Sequence, residues 1–230
     1  MARAVDTSSA APYFHFMAEI VHLDADRPDP EVIRRACAVL EAGELVGVPT
    51  ETVYGIACAS EYIEALYRAK ERDRGKPVAR LAASLKQVAA LGANFGKAGK
   101  ALASTYWPGP LTLVLNTPEG TTGFRVPDHG IPLALARAFG RPIALTSANK
   151  SGETDALNAQ EAFQCLETAV PLFLESFQPL EPTGSDFRAS AFAEATADRS
   201  PCPSTVLLCT QNETKILREG AVPAQELGIK

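Results

Sequence analysis

Apolar positions recur in two rhythms along this chain, one near 3.6 residues and one near 2, and the two alternate. Ala18–Leu23 alternates enough to read as an edge strand. Asp29-Pro30-Glu31 then carries the marks of a helix start: a capping side chain, proline at the first helical position and acid in the first turn. Val32, Ile33, Ala36, Val39 and Leu40 share one face of that helix, and Gly43 ends it. A short apolar run, 45–48, is a buried strand halted by Pro49, which has no N–H for a ladder. Thr50-Glu51-Thr52 follows, two hydroxyls and a carboxylate just past a strand end, where open α/β sheets bind ligands.

The remaining elements follow in the same manner. A helix from Ser60 turns Ile63, Leu66 and Tyr67 inward and runs into the cationic stretch 70–76. Leu81–Ala83 is a short strand, and Ser84 with Gln87 forms a capping box for a helix ending at Gly92. A helix over 97–106 precedes the turn Trp107-Pro-Gly-Pro110 and a strand over 111–115. Strands are expected at 124–126, 142–145 and 170–174, with a helix over 132–139 stopped by Gly140 and another capped by Asn158 and Glu161. Val206–Cys209 and Lys215–Leu217 make a closing antiparallel pair across a Gln211-Asn212 turn. Residues 175–203 lack clear periodicity and read as an insertion or loop, with a short helix at 187–197. Strands alternating with helices make this an α/β chain of one domain, with an antiparallel component at its end.

Composition narrows the class. The 230 residues are 46% hydrophobic and 21% charged, as in an ordinary globular protein, and no apolar run reaches the length of a membrane span. A net charge of −5 argues against coating nucleic acid by bulk charge, though a local basic patch stays open. Five cysteines without a CxxC pair point to a reducing compartment, the cytoplasm, rather than to disulfides or structural zinc. Residues 1–17 read as a disordered lead; two arginines, two serines and few acids leave an organellar leader in 1–16 open. Residues 223–230 read as a C-terminal tail.

Several familiar chemistries are missing. No GxxxxGK[ST], GxGxxG or GxSxG stands in the right context, and His15, His22 and His129 lie too far apart to hold a metal. His129 reads as a turn or packing residue, and Cys58 as a core residue. What remains is a set of anion binders on loops. Lys70, Arg72 and Lys76 supply charge, although taken alone that run reads first as a solvated helix end neutralised by Glu71 and Asp73. Thr146-Ser-Ala-Asn149 with Ser151-Gly152 offers hydroxyls, an amide and backbone N–H groups, or merely an ordinary Ser/Asn turn.

In combination these stretches carry more information. PTETVYG (49–55), Lys70-x-Arg72 with Lys76-Pro77, WPGPLT (107–112), RVPDH (125–129), TSANKSG (146–152), STV (204–206) and ILREGA (216–221) occur together and in this order. The ordered set resembles the YrdC-like family of threonylcarbamoyl-AMP synthases over roughly 18–222. The resemblance implies a single YrdC-like domain: a twisted mixed parallel and antiparallel sheet with flanking helices and a concave basic face. It implies a nucleotidyltransferase that makes threonylcarbamoyl-AMP from L-threonine, bicarbonate and ATP, releasing pyrophosphate, with Mg²⁺ accompanying ATP. The product would pass to a downstream threonylcarbamoyl transferase complex that modifies adenosine in tRNA. By match to the family's pattern, Thr52, Arg125 and Ser204 would hold threonine, and Lys70 and Arg72 would act in catalysis. Arg72, Lys76, Ser147, Asn149, Asp155 and Arg218 would meet the nucleotide, with no metal held by the protein. The alternative within the family is a member that binds double-stranded RNA or tRNA, or hydrolyses an adenylate, without synthesis. The sequence departs from the pattern at 175–203, at Arg80 within an otherwise apolar strand, at Asp155 and after Val206.

Overall fold

The computed structural model describes residues 18–177, 202–211 and 213–229. Ten strands form one sheet: β1 Glu19–Leu23, β2 Val46–Val48, β3 Gly55–Ala59, β4 Ala79–Leu81, β5 Leu111–Thr117, β6 Gly120–Arg125, β7 Ile143–Ser147, β8 Leu172–Ser176, β9 Thr205–Cys209 and β10 Thr214–Arg218. Six α-helices accompany them: α1 Pro30–Glu41, α2 Ile63–Ala69, α3 Leu85–Ala90, α4 Gly96–Tyr106, α5 Gly130–Phe139 and α6 Ala159–Leu166. The strand order is β1-β8-β2-β3-β7-β4-β6-β5-β9-β10. Four of the nine pairings are parallel, namely β1/β8, β2/β8, β4/β6 and β5/β9.

Local chemistry sets the helix ends as the sequence suggests. Asp29 accepts from Glu31 N, Ser84 from Gln87 N and Asn158 from Glu161 N, each satisfying a donor that the first turn leaves free. His129 caps α5, its side chain accepting from Ile131 N. Strand β3, GIACA, does not show in the sequence, because glycine and alanine carry little strand propensity. All five of its residues are buried between antiparallel partners β2 and β7, so tertiary pairing overrides propensity.

That strand refines one expectation. The Thr50-Glu51-Thr52 loop follows the carboxyl end of β2, which runs parallel to β8, but on its other side β2 pairs with the antiparallel β3 to which the loop leads. Antiparallel pairing also extends well beyond the last two strands. Smaller shifts concern boundaries: β4 starts two residues earlier than expected, and β6 begins at Gly120. The proposed helix 187–197 lies outside the described residues, as do 1–17, most of the 175–203 stretch, Asn212 of the expected turn and Lys230. The expected tail does not hang free, since Leu227 is buried with Val222 beside α4.

Period-2 alternation divides the sheet into two faces. Ile56, Cys58, Ala144 and Phe173 pack under α2 and α6, while Leu111, Leu113, Leu115, Phe124 and Leu207 pack under α3 and α4. Registered neighbours share a face, and Arg80, paired with both Ala144 and Phe124, joins these two sets on one side. On the other side α1 and α5 cover Val46, Val48, Ala57, Ala59, Leu81 and Ile143. Beyond those helices the same face continues as Thr112, Val114, Gly123, Arg125, Val206 and Leu208. That uncovered stretch bears the cavity described next.

Candidate functional site

A cavity of about 400 Å³ lies on this open face, within the range of small-molecule sites. Its lining brings together Thr52, Arg72, Arg125, Ser147, Asp155, Ser204 and Arg218, all named from the sequence. Apolar Val114, Leu145, Val206, Leu208 and Leu217 also line it, with Thr112, Thr121 and Thr146. Its ionisable lining side chains include Arg72, Arg125 and Arg218 with one carboxylate, Asp155; Arg80 also borders it, but its register sends that side chain to the opposite face, and it pairs with Glu119 at 3.5 Å.

Arg125, at the end of β6, is buried. Its Nη1 donates to Thr52 Oγ1 at 2.9 Å and its Nε to the Gly109 carbonyl at 3.2 Å. Gly109 is required there: its φ is 158°, and a Cβ would stand 2.6 Å from the Tyr106 carbonyl oxygen. The turn at 107–110 thus places a carbonyl against the guanidinium. Arg125 Nη2 lies 2.8 Å from Glu51 Oε1, an ion pair whose angle is poor for a hydrogen bond. Arg125 Nη2 and Glu51 Oε2 are both buried without a hydrogen-bond partner. Unsatisfied charged groups at a buried site are costly and mark a place where a ligand belongs.

Ser204 immediately precedes β9, and Arg218 ends β10. The pairing jumps from Ile216 opposite Leu207 to Arg218 opposite Val206, so β10 carries one extra residue, and the bulge turns both Leu217 and Arg218 toward the cavity. Arg218 Nη2 donates to the Ser204 carbonyl at 2.7 Å. Burial lowers the Arg218 pKa below its ordinary value, Asp155 opposes that shift, and Arg125 and Arg72 reinforce it. The segment after β10 closes against Ser204: a Cβ on Gly220 would stand 2.2 Å from the Pro203 carbonyl oxygen.

The cationic run separates into distinct roles. Arg72 lines the cavity, its guanidinium held by the carbonyls of Lys76 and Pro77 at 3.2 and 3.1 Å. Neither neighbouring acid neutralises it: Glu71 pairs with Lys150, and Asp73 accepts from Gly75 N. Lys76 is exposed and absent from the lining. Lys70 departs most from expectation. It is 1% exposed, and its ammonium is not directed at the cavity; it donates to Ser147 O, Asn149 O and Asn149 Oδ1 at 2.5, 2.5 and 2.8 Å. Burial first, then the charge of Arg72, lowers its pKa to about 8, with Asp155 opposing. Asn149 is likewise buried and structural in its contacts: its Oδ1 also accepts from Ser147 Oγ, and its Nδ2 donates to Glu153 O. Ser147 alone of this loop's expected residues reaches the lining.

Sequence reasoning missed Thr112, although its signal was present: a polar residue within the apolar first half of β5, at the end that faces Arg125 on β6. Among the described residues no group of three or more His, Cys, Asp and Glu is arranged to hold a metal ion, and no helix is long and apolar enough to cross a membrane.

Comparison with known proteins adds a family to this geometry. The bovine threonylcarbamoyl-AMP synthase is 39% identical over 159 residues, covering 63% of this chain and 56% of its own length. The Bacillus subtilis threonylcarbamoyl-AMP synthase is 31% identical over 213 residues, covering 86% of this chain and 56% of its own. The chain thus spans about half the length of these curated relatives. Pyrococcus abyssi Sua5, solved in complex with L-threonine, superposes with a TM-score of 0.75 at 28% identity, over 91% of this chain and 60% of that one. Escherichia coli YciO shares the fold, with a TM-score of 0.73 at 21% identity over 92% of this chain and all of YciO. Residues 38–220 match the model of the Sua5, YciO and YrdC proteins, described as telomere recombination, and the chain belongs to that family.

Proposed function

We propose that this chain synthesises threonylcarbamoyl-AMP from L-threonine, bicarbonate and ATP, releasing pyrophosphate. The observation that carries this reading is the cavity itself, where Arg72, Arg125, Arg218 and a row of hydroxyls meet a single carboxylate, Asp155. Similarity to named synthases, and to a Sua5 complexed with L-threonine, supports the same substrates. In this reading the amine of threonine condenses with bicarbonate, losing water, to give a carbamate. A carbamate oxygen then attacks the α-phosphorus of ATP, and the bond to the departing pyrophosphate breaks. Nothing covalent is asked of the protein, so positioning and charge stabilisation are its contribution.

Arg125, whose Nη2 is ion-paired with Glu51 but makes no hydrogen bond, would take the threonine carboxylate next to Thr52. Ser204 would lie on the amino-acid side, with Arg72 and Arg218 at the phosphates and Ser147 and Asp155 near the nucleotide. Lys70 and Asn149 would serve by holding the loop that carries Ser147, and Lys76 through its carbonyl on Arg72. Mg²⁺ would arrive as the counter-ion of ATP, coordinated mainly by phosphate oxygens and water, with Asp155 the one carboxylate of the lining within this region. The product would feed a transferase that modifies tRNA. Pyrophosphate release measured with and without threonine tests the reading: release should require both threonine and bicarbonate, and threonine-independent ATP consumption would sink it.

A further inference from the structure

We propose that Glu71 is a positioning residue whose left-handed backbone, rather than its carboxylate, sets Arg72 at the cavity. The place of Arg72 at the phosphates rests on the synthase reading above. Glu71 has a φ of 51°, and among the described residues it is the one residue other than glycine with positive φ. That conformation brings Cβ too close to the carbonyl oxygen and is ordinarily left to glycine. Here it belongs to the end of α2. Lys70 is the C-cap, Glu71 N donates to Arg68 O at 3.2 Å, and Arg72 N donates to Tyr67 O at 2.9 Å. This pair of bonds is a helix stop that requires a left-handed residue directly after the cap.

The stop does two things for the site. In a continuing helix Lys70 O would accept from the amide four residues on. The stop frees that carbonyl, and Ser151 N takes it at 2.9 Å, tying the loop that carries Ser147 to the end of α2. The chain also reverses after Glu71, so Lys76 returns to the last turn of α2, where Tyr67 Oη donates to its carbonyl at 3.1 Å. The same reversal brings the Lys76 and Pro77 carbonyls onto the Arg72 guanidinium. The carboxylate of Glu71 has a lesser part: it meets Lys150 Nζ at 2.9 Å, and both side chains are exposed, an arrangement that contributes little.

Titration calorimetry with ATP and Mg²⁺, titration with threonine, and pyrophosphate release test this on Glu71→Gly, Glu71→Ala and Glu71→Val, with melting temperature recorded for each. All three remove the carboxylate; they differ in how well the left-handed conformation suits them, glycine best and β-branched valine worst. Glu71→Gly should keep ATP affinity and kcat/KM within about twofold of wild type. Glu71→Val should lose about tenfold or more in both with threonine affinity unchanged, and Glu71→Ala should fall between. A tenfold loss in Glu71→Gly would show that the carboxylate serves, and would overturn the proposal. Lower melting temperatures in Glu71→Ala and Glu71→Val with ATP affinity and turnover at wild-type values would mark a helix stop and nothing more, and would overturn it too, as would equal weakening of ATP and threonine. If Glu71→Val does not fold, the comparison of Glu71→Ala with Glu71→Gly decides, and equal ATP affinity in the two counts against the proposal. A wild-type protein that binds ATP but releases no pyrophosphate with threonine would overturn the synthase reading alone, since the order of ATP affinities still decides this inference. Failure of the wild-type protein to bind ATP would overturn both.

Discussion

Replacing Lys70 with methionine isolates what that side chain does, because methionine keeps its length and removes its donors. Three carbonyl oxygens lose an N–H. Asn149 Oδ1 keeps the Ser147 hydroxyl, so two backbone carbonyls are orphaned, at about 1–3 kcal/mol each. Against this stands relief from burying a charge: the fall of the Lys70 pKa from 10.5 to about 8 corresponds to roughly 3 kcal/mol. The opposing effects nearly cancel, leaving a net change between about 1 kcal/mol of stabilisation and about 3 kcal/mol of destabilisation, and the variant should fold. Catalysis should suffer more. The 147–149 loop carries Ser147 into the cavity, and a displacement of about 1 Å at a positioned group costs on the order of 10²-fold in kcat/KM. The pH profile separates displacement of this loop from loss of a phosphate contact. Three acceptors suit the ammonium form, so wild-type activity should decline above about pH 8, and Lys70→Met should lack that limb. Stability moves the other way: the folded pKa lies below the unfolded one, so between about 8 and 10.4 the unfolded chain holds more protons and this group's contribution rises with pH. Arg72 and Asp155 are the charged groups facing Lys70 that enter this balance. An alkaline limb surviving unchanged in Lys70→Met would refute the argument. So would a defect confined to the KM for ATP, which would mean that the ammonium reaches the phosphates.

Other variants probe the same site. Arg72→Ala should abolish pyrophosphate release while leaving the melting temperature within a few degrees of wild type, because its guanidinium is bound by two carbonyls at the surface. Gly220→Ala should lower stability by about 1–3 kcal/mol in urea unfolding and raise the KM for threonine, since the added methyl pushes on the backbone of Pro203 and Ser204. Arg141→Ala should change stability by about 1 kcal/mol or less and leave turnover intact, for its bonds to Glu41 and Glu61 and its contact with Phe139 are exposed and remote from the cavity lining.

Helix caps and strand alternation were legible because each depends on a few neighbouring residues. Asp29, Ser84 and Asn158 cap as their spacing suggests. Strand β3 was not legible, since GIACA, mostly small residues, shows no period, and its extended form comes from being hemmed in by β2 and β7. The same limit applies to the site. Residue types could nominate Lys70 and Arg72 alike, two positions apart, but the backbone after α2 sends one ammonium inward under the 147–149 loop and leaves the other group at the cavity. Thr112 shows the converse: its polarity within an apolar strand was visible, but its hydroxyl gains meaning only from Ser204, 92 residues away, which β5/β9 pairing brings alongside.

The way the cations are held distinguishes those that serve the cavity from those that serve the fold. Arg34, Arg35, Arg74, Arg80, Arg141 and Lys150 are paired with carboxylates, and of these Arg80 alone borders the cavity, its side chain sent to the opposite face by its register. Arg72 and Arg218 are instead anchored on main-chain carbonyls, of Lys76 and Pro77 for one and of Ser204 for the other. A carbonyl fixes the direction of a guanidinium without cancelling its charge, so the field in the cavity stays available to an anion. Arg125 combines both arrangements, with the Gly109 carbonyl on Nε and Glu51 near Nη2. Its pairing with Glu51 is incomplete, and Arg125 Nη2 keeps an unused donor. A preorganised site of this kind changes little on binding, because the cost of orienting its charges is met when the chain folds. Arg72→Lys should therefore fail to rescue Arg72→Ala: an ammonium cannot span the carbonyls of Lys76 and Pro77 while also facing the cavity. Full turnover in Arg72→Lys would show that charge alone suffices there and that the carbonyl anchoring is incidental.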